Sequence, residues 1–329
     1  EPDGMTVLVS DVGGTNVRFA IAAGVDQPLQ FVHSMACADF PTIDAAVATY
    51  LAGLDTDHAK NIEGVVIAVA GPVNADVVDV TNNHWRFDKR HLRSTLGVQR
   101  LLVINDFTAQ ALAQSDPTAN GNVEILSGTP NPLAPLLVIG PGTGLGVSGL
   151  IRSNGSLIPI EGEGGHVAFS PRSAREVALY EFHHKTHEHI VAEHFVSGPG
   201  LQTIYRFLVK DMAAPANMTA PEIGASALAE DGVCREAARI MLDCLGTVIL
   251  NNVLTLGCWG GAVIAGGVVP RLAPLIGQSA LADRIRNGGG DPALTADLPV
   301  WLSTDPQAGL RGACAALGND HLAARCLTG

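Results

Sequence analysis

Two glycine-rich turns constrain the fold of this chain more than any other feature. The segments DVGGTN, residues 11–16, and GPGTGLG, residues 140–146, each follow an apolar run, and a second apolar run returns from each of them. Pairs of runs around a short glycine turn are typical of β-hairpins. Because glycine lets an anion approach the main chain, the amides of such a turn and one threonine hydroxyl can hold a phosphate. The sequence therefore predicts two phosphate-binding hairpins.

The plainer interpretation of each turn is a hairpin or loop without a ligand. The second turn matches neither common nucleotide signature. It lacks the Gly-Lys-Ser/Thr of a P-loop, and Leu145 stands where the G-x-G-x-x-G motif needs its last glycine. Apolar strands bound this turn closely, which favours a structured hairpin over a flexible loop.

Composition and charge exclude several classes of protein. The 329 residues are 47% apolar and only 16% charged, which favours two domains with sizeable cores over a disordered or coiled-coil chain. A net charge of −12 argues against a nucleic-acid surface. It does not exclude ATP, because local amides and a bound metal can offset phosphate charge.

Cysteine content and the absence of targeting signals predict a cytoplasmic protein. The six cysteines form no C-x-x-C pair and are expected to be buried thiols of a reducing compartment. Residues 1–4 are polar and acidic, unlike a signal peptide. The most apolar stretch, residues 245–256, is too short and too polar for a membrane span, so we expect no membrane association.

Periodicity predicts alternating strands and helices in both halves. Strands are expected at 7–12, 17–22, 65–69, 101–104, 135–139, 147–151, 263–265 and 299–302. Helices are expected at 43–54 with Thr42 as N-cap, at 107–113, at 174–184 with a Ser173–Glu176 capping box, at 237–256 and at 309–317. This order predicts an α/β architecture with two similar lobes and a cleft between them.

A lone carboxylate lies between the two turns. Asp106, preceded by Asn105, ends an apolar run and begins a predicted helix. This position favours a helix N-cap on general grounds, but it also suits a general base at the carboxyl end of a strand. The flanking phosphate turns make the base the better interpretation.

Further segments carry groups suited to a sugar or a nucleotide. In EGGH, residues 163–166, adjacent glycines hold a carboxylate and an imidazole close enough to bind vicinal hydroxyls, with a surface loop as the alternative. Glu193 precedes SGPG, residues 197–200, where a helical stretch is expected to break. It is either an exposed helix residue or a group in the sugar pocket. Gly266-Gly267 either accommodates adenosine or forms a strand-to-helix turn.

The histidine-rich segment 183–189 contains several side chains that could bind a metal. His183 and His187 share a helix face, but no H-E-x-x-H motif and no third ligand of defined spacing are present. We therefore expect a solvated surface.

The ordered motifs resemble those of bacterial ATP-dependent glucokinases. The resemblance rests on DVGGTN at 11–16, INDFTA at 104–109, GTGLG at 142–146, EGEGGH at 161–166 and AGGVVPR at 265–271. It also includes TNNHW at 81–85 and SGPGL at 197–201, and it runs from about Val7 to the C-terminal helix.

The resemblance implies the two-lobed fold of the hexokinase, Hsp70 and actin superfamily, which is ribonuclease H-like with a cleft between a small and a large domain. The small domain would comprise residues 1–115 plus 306–329, with the first phosphate hairpin and the base. The large domain would comprise residues 116–305, with the second hairpin, the sugar loop and the adenosine motif. The resemblance also implies transfer of the ATP γ-phosphoryl group to the 6-hydroxyl of glucose, Mg²⁺ as cofactor, and a homodimer.

Site residues follow from the same resemblance. It implies Asp106 as the catalytic base, and as sugar ligands Asn105, Asp106, Glu163, His166 and Glu193. The implied phosphate-binding residues are Asp11, Gly13, Gly14, Thr15, Asn16, Gly142, Thr143 and Gly144. Gly266 and Gly267 would form the adenosine motif, and Asp11 would hold Mg²⁺ through water.

A related group of repressors and sugar kinases carries a cysteine-rich zinc motif after this region. Residues 167–201 contain no cysteine, so structural zinc is not expected.

Two other classes of protein share this fold. A sugar-sensing repressor would need a DNA-binding extension, for which a first strand at about Val7 leaves no room. An actin-like or chaperone ATPase would not need the EGGH segment beside a base. The choice among glucose, mannose and glucosamine, and the replacement of ATP by ADP or polyphosphate, are open at this level.

Overall fold

The computed structural model describes residues 5–25, 27–54, 61–119 and 121–329, so the acidic start at 1–4 lies outside the described residues. The strands are β1 (Thr6–Val12), β2 (Asn16–Ala22), β3 (Gln30–Ala36), β4 (Ile62–Val69), β5 (Val77–Asp79), β6 (Arg86–Asp88), β7 (Arg100–Asn105), β8 (Val123–Leu126), β9 (Leu136–Pro141), β10 (Leu145–Ser153), β11 (Ser156–Glu161), β12 (Ala262–Ile264), β13 (Val300–Leu302) and β14 (Leu327–Thr328). The helices are α1 (Ile43–Ala52), α2 (Lys89–Leu96), α3 (Asp106–Leu112), α4 (Ala174–His184), α5 (Gly198–Val209), α6 (Ala220–Ala229), α7 (Val233–Leu256), α8 (Val269–Leu272), α9 (Leu281–Asn287), α10 (Ala308–Leu317) and α11 (Asp320–Ala323). Short 3₁₀ helices occur at Cys37–Asp39, Gly164–His166, Ala192–His194, Ala273–Gln278 and Pro292–Leu294.

The chain divides into two compact units. The first unit comprises Glu1–Ser115, Ser153–Glu161 and Asp305–Gly329, and the second comprises Asp116–Arg152 and Gly162–Thr304. The sequence prediction placed 153–161 in the large domain, whereas this segment packs with the first unit. The Thr108 hydroxyl donates to Glu161 Oε1 at 3.0 Å, and Asn319 Nδ2 donates to the Leu157 carbonyl at 2.8 Å. These contacts come from distant parts of the chain and were not visible as local patterns.

The first unit is built on a mixed sheet of order β14-β7-β4-β1-β2-β3. Strands β1, β4 and β7 are parallel neighbours, and β2 and β3 extend the sheet antiparallel to β1. Helix α10 packs on α3 closely enough that a Cβ at Gly312 would lie 1.7 Å from the Ala109 carbonyl oxygen. A glycine at this crossing lets the two helices cover the same face of the sheet.

In the second unit the strands are ordered β10-β9-β12-β13-β8, with β9, β12 and β13 parallel to one another. Helix α7 forms the centre of this unit and packs against α5, α6 and α9. It is long and apolar enough to cross a membrane by length and composition, yet 72% of its most apolar window is buried within the protein. It is therefore a core helix.

Most predicted elements are confirmed, with shifts at their ends. Thr42 caps α1 by accepting from the Ala45 amide at 3.4 Å. The capping box of α4 is only half formed: Ser173 Oγ accepts from the Glu176 amide at 3.1 Å, but the Glu176 carboxylate accepts from Arg172 instead.

The predicted helix break at SGPG is wrong. Ser197 is an N-cap, and α5 begins at Gly198 with Pro199 in its first turn. Proline is tolerated there because the amide it lacks would have no helical acceptor.

Candidate active site

The carboxyl ends of three parallel strands meet at one edge of the first unit's sheet. Val12 of β1 pairs with Val69 of β4, and Val69 pairs with Asn105 of β7. Strands β1 and β7 are two positions apart, about 10 Å at the usual strand spacing. The first glycine turn and Asp106 therefore emerge at the same edge, which is where α/β sheets typically bind ligands.

The turn between β1 and β2 presents backbone amides. The Gly13 amide donates to the Asn16 carbonyl at 2.9 Å and closes the turn. The amides of Gly14 and Thr15 have no hydrogen-bond partner among the described residues. Thr15 is exposed, and its hydroxyl accepts from Asn16 Nδ2 at 3.1 Å. Two amides and a hydroxyl are thus available to an anion.

Asn83 supports this turn and was not assigned a role by the sequence. Its Nδ2 donates to the Gly13 carbonyl at 2.9 Å, while its Oδ1 accepts from the Trp85 amide at 3.0 Å. Asn82 has a φ of 57° and approaches the turn so closely that a Cβ at Gly14 would lie 3.1 Å from its carbonyl oxygen. The signal was the Asn-Asn pair, since asparagine is enriched in this left-handed conformation.

Asp11 lies on β1 immediately before the turn and is partly buried. Burial raises the pKa of its carboxyl group, and the Arg18 guanidinium, on the residue paired with it on β2, opposes that shift. A Cβ at Gly309 of α10 would lie 2.7 Å from Asp11 Oδ2. Glycine at this position lets α10 pack closely against the carboxylate.

The cap of helix α3 is Asn105 rather than Asp106. Asn105 Oδ1 accepts from the amides of Phe107 at 2.9 Å and Thr108 at 3.4 Å, and its Nδ2 donates to the Gly71 carbonyl at 3.1 Å. One N–H of the Asn105 amide is left for a substrate. Asp106 is the first helical residue, and its Oδ1 accepts from the Phe107 amide at 2.9 Å. Its carboxylate is thus at a helix N-terminus, which favours negative charge, and the capping role does not depend on it.

In the second unit the glycine turn joins β9 to β10. The Gly142 amide donates to the Gly144 carbonyl at 2.8 Å, and the amides of Thr143 and Gly144 have no hydrogen-bond partner in the part of the chain that the structure describes. A Cβ at Gly140 would lie 2.1 Å from the Ala265 carbonyl oxygen, whereas one at Gly142 would meet nothing within 4 Å. The base of this hairpin is tightly packed and its tip is open.

Glu193 lies beside this second turn. It belongs to the 3₁₀ turn Ala192–His194 and is partly buried, so the interpretation as an exposed helix residue is wrong. Its Oε2 accepts from the Leu145 amide at 2.7 Å. The cap of α5, Ser197, donates its hydroxyl to the Glu193 carbonyl at 2.7 Å.

The EGGH loop packs against the same hairpin. A Cβ at Gly165 would lie 2.3 Å from the Leu145 carbonyl oxygen, so only glycine fits this contact. The side chains of Glu163 and His166 flank the glycines and are exposed. The His166 amide donates to the Glu163 carbonyl at 3.0 Å, which closes the short turn between them. Two groups able to bind hydroxyls are thereby fixed to β10.

Gly266-Gly267 does form a strand-to-helix turn, and it adjoins a cavity. Gly266 has a φ of 81°, and a Cβ there would lie 2.7 Å from the Pro141 carbonyl oxygen, while the position of Gly267 is open. The cavity, of about 450 Å³, is lined by residues that include Leu201, Pro221, Leu228, Val268, Arg271 and Leu272. Apolar walls with one guanidinium suit a flat aromatic base.

The histidine segment is partly a core feature, so the expectation of a solvated surface is wrong for His183. The His183 side chain is only 9% exposed, and its ring stacks on His187 at 4.0 Å and meets His194 edge-on at 4.9 Å. Burial, followed by the neighbouring His187, His194 and Arg206, lowers the pKa of His183 to about 4. Among the described residues, no group of three or more His, Cys, Asp or Glu has the geometry of a metal site.

Each unit therefore gathers its own part of the predicted site. The first unit brings Asp11, its glycine turn, Asn105 and Asp106 to one sheet edge. The second unit brings Glu193 and the EGGH loop to the hairpin that also contacts the Gly266 turn. Two glycine turns with available amides would suit any nucleotide hydrolase, but carboxylate and imidazole groups fixed to one of them also suit a hydroxylated acceptor. The class is that of ATP-dependent sugar kinases with the two-domain actin/hexokinase-like fold.

Comparison with known proteins narrows this class. The chain belongs to the glucokinase family, whose family model matches residues 8–320. A glucokinase of Neisseria gonorrhoeae is 39% identical over 317 residues, which cover 96% of this chain and 95% of that protein. A glucokinase of Chromobacterium violaceum is 39% identical over 328 residues, which cover 98% and 92%.

A solved structure agrees with this assignment. The crystal structure of a glucokinase from an Antarctic psychrotroph matches with a TM-score of 0.82 at 31% identity, over 95% of this chain and 98% of that one. Phosphorylation of glucose by ATP is the function of the family.

Proposed function

We propose that this chain transfers the γ-phosphoryl group of ATP to the 6-hydroxyl of glucose, giving glucose 6-phosphate and ADP, the first step of glycolysis. The observation that carries the proposal is the attachment of hydroxyl-binding groups to a phosphate turn. Glu193 bonds the Leu145 amide, and Gly165 of the EGGH loop packs on the carbonyl of the same residue. A nucleotide hydrolase without a sugar acceptor would have no use for this arrangement.

In the proposed reaction, Asp106 takes the proton of the 6-hydroxyl as that oxygen attacks the γ-phosphorus and ADP leaves. A carboxylate can act as a general base, and Asp106 suits this role because the helix cap here is Asn105. The amides of Gly14, Thr15, Thr143 and Gly144, which have no partner among the described residues, would stabilise charge on the phosphate oxygens.

The sugar ring would be held by Asn105, Glu163, His166 and Glu193. Carboxylates accept from hydroxyl groups, and an imidazole or an amide can donate to them. Because four such groups are more than a small phosphate acceptor would need, the set supports a polyhydroxylated ring.

Asp11 fits a role beside Mg²⁺. A partly buried carboxylate with a raised pKa gains from a nearby cation, and Mg²⁺ is commonly held by one or two carboxylates through waters together with substrate phosphates. When bound, Mg²⁺ would offset the negative charge of the phosphate groups. Asp11, at the end of β1, would help to hold it.

The cavity next to Gly266-Gly267 would take the adenine ring, with the open backbone at Gly267 leaving room for the ribose. Apolar walls would bury the faces of the base, and Arg271 would lie against its π-system. We assign the base and the first phosphate turn to the first unit, and the sugar loop, second phosphate turn and adenosine motif to the second.

A cytoplasmic homodimer completes the proposal. All six cysteines are free thiols, which supports a reducing compartment. Sedimentation equilibrium would test the dimer, and a mass equal to one chain at working concentration would contradict it.

The proposed function is tested with a coupled assay of ADP release against a panel of hexoses. We expect glucose to be preferred over its deoxy analogues, because a missing hydroxyl leaves a binding group unpaired. Glu163→Gln should raise KM for glucose far more than KM for ATP. ATP hydrolysis that does not depend on sugar would contradict the function, and an equal shift in both constants would place Glu163 outside the sugar site.

A further inference from the structure

Glu193 contacts the second phosphate turn through one of its two carboxylate oxygens. Oε2 accepts from the Leu145 amide at 2.7 Å, and it would lie 2.5 Å from a Cβ at Gly144. Oε1 would lie 3.8 Å from the same point and makes no hydrogen bond within the described chain. One carboxylate oxygen, Oε2, therefore contacts the turn, and the other, Oε1, lies farther from it.

The turn is held at both ends by the segment that carries Glu193. At one end, the Gly142 carbonyl accepts from the Gly198 amide at 2.8 Å. At the other, Leu145 is bonded to Glu193 itself. Ser197 joins the two anchors, because its hydroxyl donates to the Glu193 carbonyl while it caps the helix that begins at Gly198.

The bond between Glu193 and Leu145 does not involve the amides at the tip of the turn. The Leu145 amide is committed to Glu193, but the amides of Thr143 and Gly144 have no partner among the described residues and are the ones available to phosphate. A hydrogen bond from a neutral amide to a carboxylate is stronger than one between neutral groups. Loss of this bond would free the start of β10 next to those two amides.

We propose that Glu193 is a positioning residue for the nucleotide as well as a ligand for the sugar. Oε2 fixes the turn Gly142–Gly144 in its phosphate-binding shape, and Oε1 is the oxygen that faces the sugar. This inference rests on the proposed function. One side chain then links the two substrates within the second unit.

Two substitutions separate the roles. In Glu193→Gln the side-chain carbonyl can still accept from the Leu145 amide, while an NH₂ group replaces Oε1. In Glu193→Ala both contacts are lost. Glu163→Ala is the matched control, because it removes a sugar-site carboxylate that does not bond the turn.

The first measurement is the Kd of the non-hydrolysable analogue AMP-PNP with Mg²⁺, by calorimetry without sugar. We expect Glu193→Ala to weaken nucleotide binding roughly tenfold, the usual size of a lost charge-assisted bond. Glu193→Gln keeps an acceptor but loses its charge, so its loss should be smaller than that of Glu193→Ala, while Glu163→Ala should stay within about twofold of wild type. All three variants should bind glucose more weakly. An unchanged Kd in Glu193→Ala, or equal losses in Glu193→Ala and Glu193→Gln, would overturn the inference.

The second measurement needs no ligand. Hydrogen–deuterium exchange of peptides covering residues 142–146 should be fastest in Glu193→Ala, with Glu193→Gln between that rate and the wild-type rate. Equal exchange in all variants would show that Glu193 does not fix the turn. Failure of the proposed function would appear separately, as wild-type protein that makes no glucose-dependent ADP while the exchange difference persists.

Discussion

Each of the two glycine turns presents two backbone amides, but the turns are held in place by different chemistry. In the first unit, the turn at Gly13 is fixed by the neutral Asn83 amide, which donates to a backbone carbonyl. In the second unit, the turn at Gly142 is fixed by the Glu193 carboxylate, which accepts from a backbone amide. The first turn therefore depends on a structural residue, and the second depends on a residue that we propose to be a substrate ligand.

The packing around the two turns also differs. In the first turn, a Cβ would make an ordinary 3.5 Å contact at Gly13 and a tight 3.1 Å contact with the Asn82 carbonyl oxygen at Gly14. At the base of the second turn, a Cβ at Gly140 would lie 2.1 Å from a backbone oxygen. The second hairpin is packed tightly against the Gly266 turn, while the first lies on the same sheet edge as the proposed base. In our proposal, proton transfer belongs to the first unit and the link between the two substrates to the second.

The largest expected effect tests the assignment of chemistry to the first unit. Asp106→Asn keeps size and leaves the Asn105 cap intact but cannot accept a proton. We expect kcat to fall by about 10²-fold or more, with the Kd for glucose changed much less. Steady-state kinetics and calorimetry measure the two constants, and an unchanged Tm serves as the control. A kcat near that of wild type would remove Asp106 as the base.

The next largest effect concerns the packing of the second hairpin. Gly140→Ala places a methyl group against the Ala265 carbonyl, and we expect a loss of about 3 kcal/mol in the free energy of unfolding. Gly142→Ala is the matched control, because its Cβ meets nothing within 4 Å. Chemical denaturation measures both variants. Equal stability of the two variants would contradict the close packing of Gly140 against the Ala265 carbonyl.

Lowering the pH should destabilise the second unit, because His183 takes up a proton. The folded pKa of about 4 lies below the ordinary 6.5, so between these values the unfolded chain binds more protons than the folded one. The stability contribution is therefore complete above pH 6.5 and is lost as pH falls toward 4, by up to roughly 3 kcal/mol. His183→Leu should flatten this dependence in unfolding experiments from pH 7 to pH 4.

The exposed His189 provides the control for that experiment. His189→Gln should keep the wild-type pH dependence. The same slope in His183→Leu and wild type would mean that other groups cause the loss of stability.

The smallest effects compare the hydroxyls of the two turns. Thr15→Val and Thr143→Val remove one hydroxyl each but keep the amides, so we expect about 1 kcal/mol of lost transition-state stabilisation, which is roughly fivefold in kcat/KM for ATP. Thr15 also accepts a bond from Asn16, so its variant should show the larger change. Unchanged ATP kinetics in both variants would mean that the hydroxyls of these turns are structural only.

Much of the fold was predictable because its signals are local. The glycine hairpins, the apolar strands and the helix that ends at His184 each follow from residues close together in the chain. The choice between Asn105 and Asp106 as cap was not predictable, because both residue types cap helices well. The deciding partner of Asn105 is the Gly71 carbonyl, 34 residues away.

Contacts between residues far apart in the chain explain the other differences between the sequence predictions and the structure. Glu193 could not be placed from sequence, because the Leu145 amide that it bonds is 48 residues away. His183 looked solvated beside other polar residues, but its ring lies 5.4 Å from that of Phe195 in the core. The position of Ser153–Glu161 likewise depends on Thr108 and Asn319. The local chemistry of each motif was visible in the sequence, and the contacts that hold the motifs were not.

The most direct test of the account is the position of the phosphoryl group on the product. ATP and glucose are incubated with the wild-type chain, and the sugar phosphate is analysed by ¹H–³¹P correlation NMR, with 6-deoxyglucose in a parallel reaction. The account predicts phosphorus coupled to the C6 protons, and 6-deoxyglucose as a competitive inhibitor that is not phosphorylated. Phosphorylation at any other carbon, or turnover of 6-deoxyglucose, would contradict it.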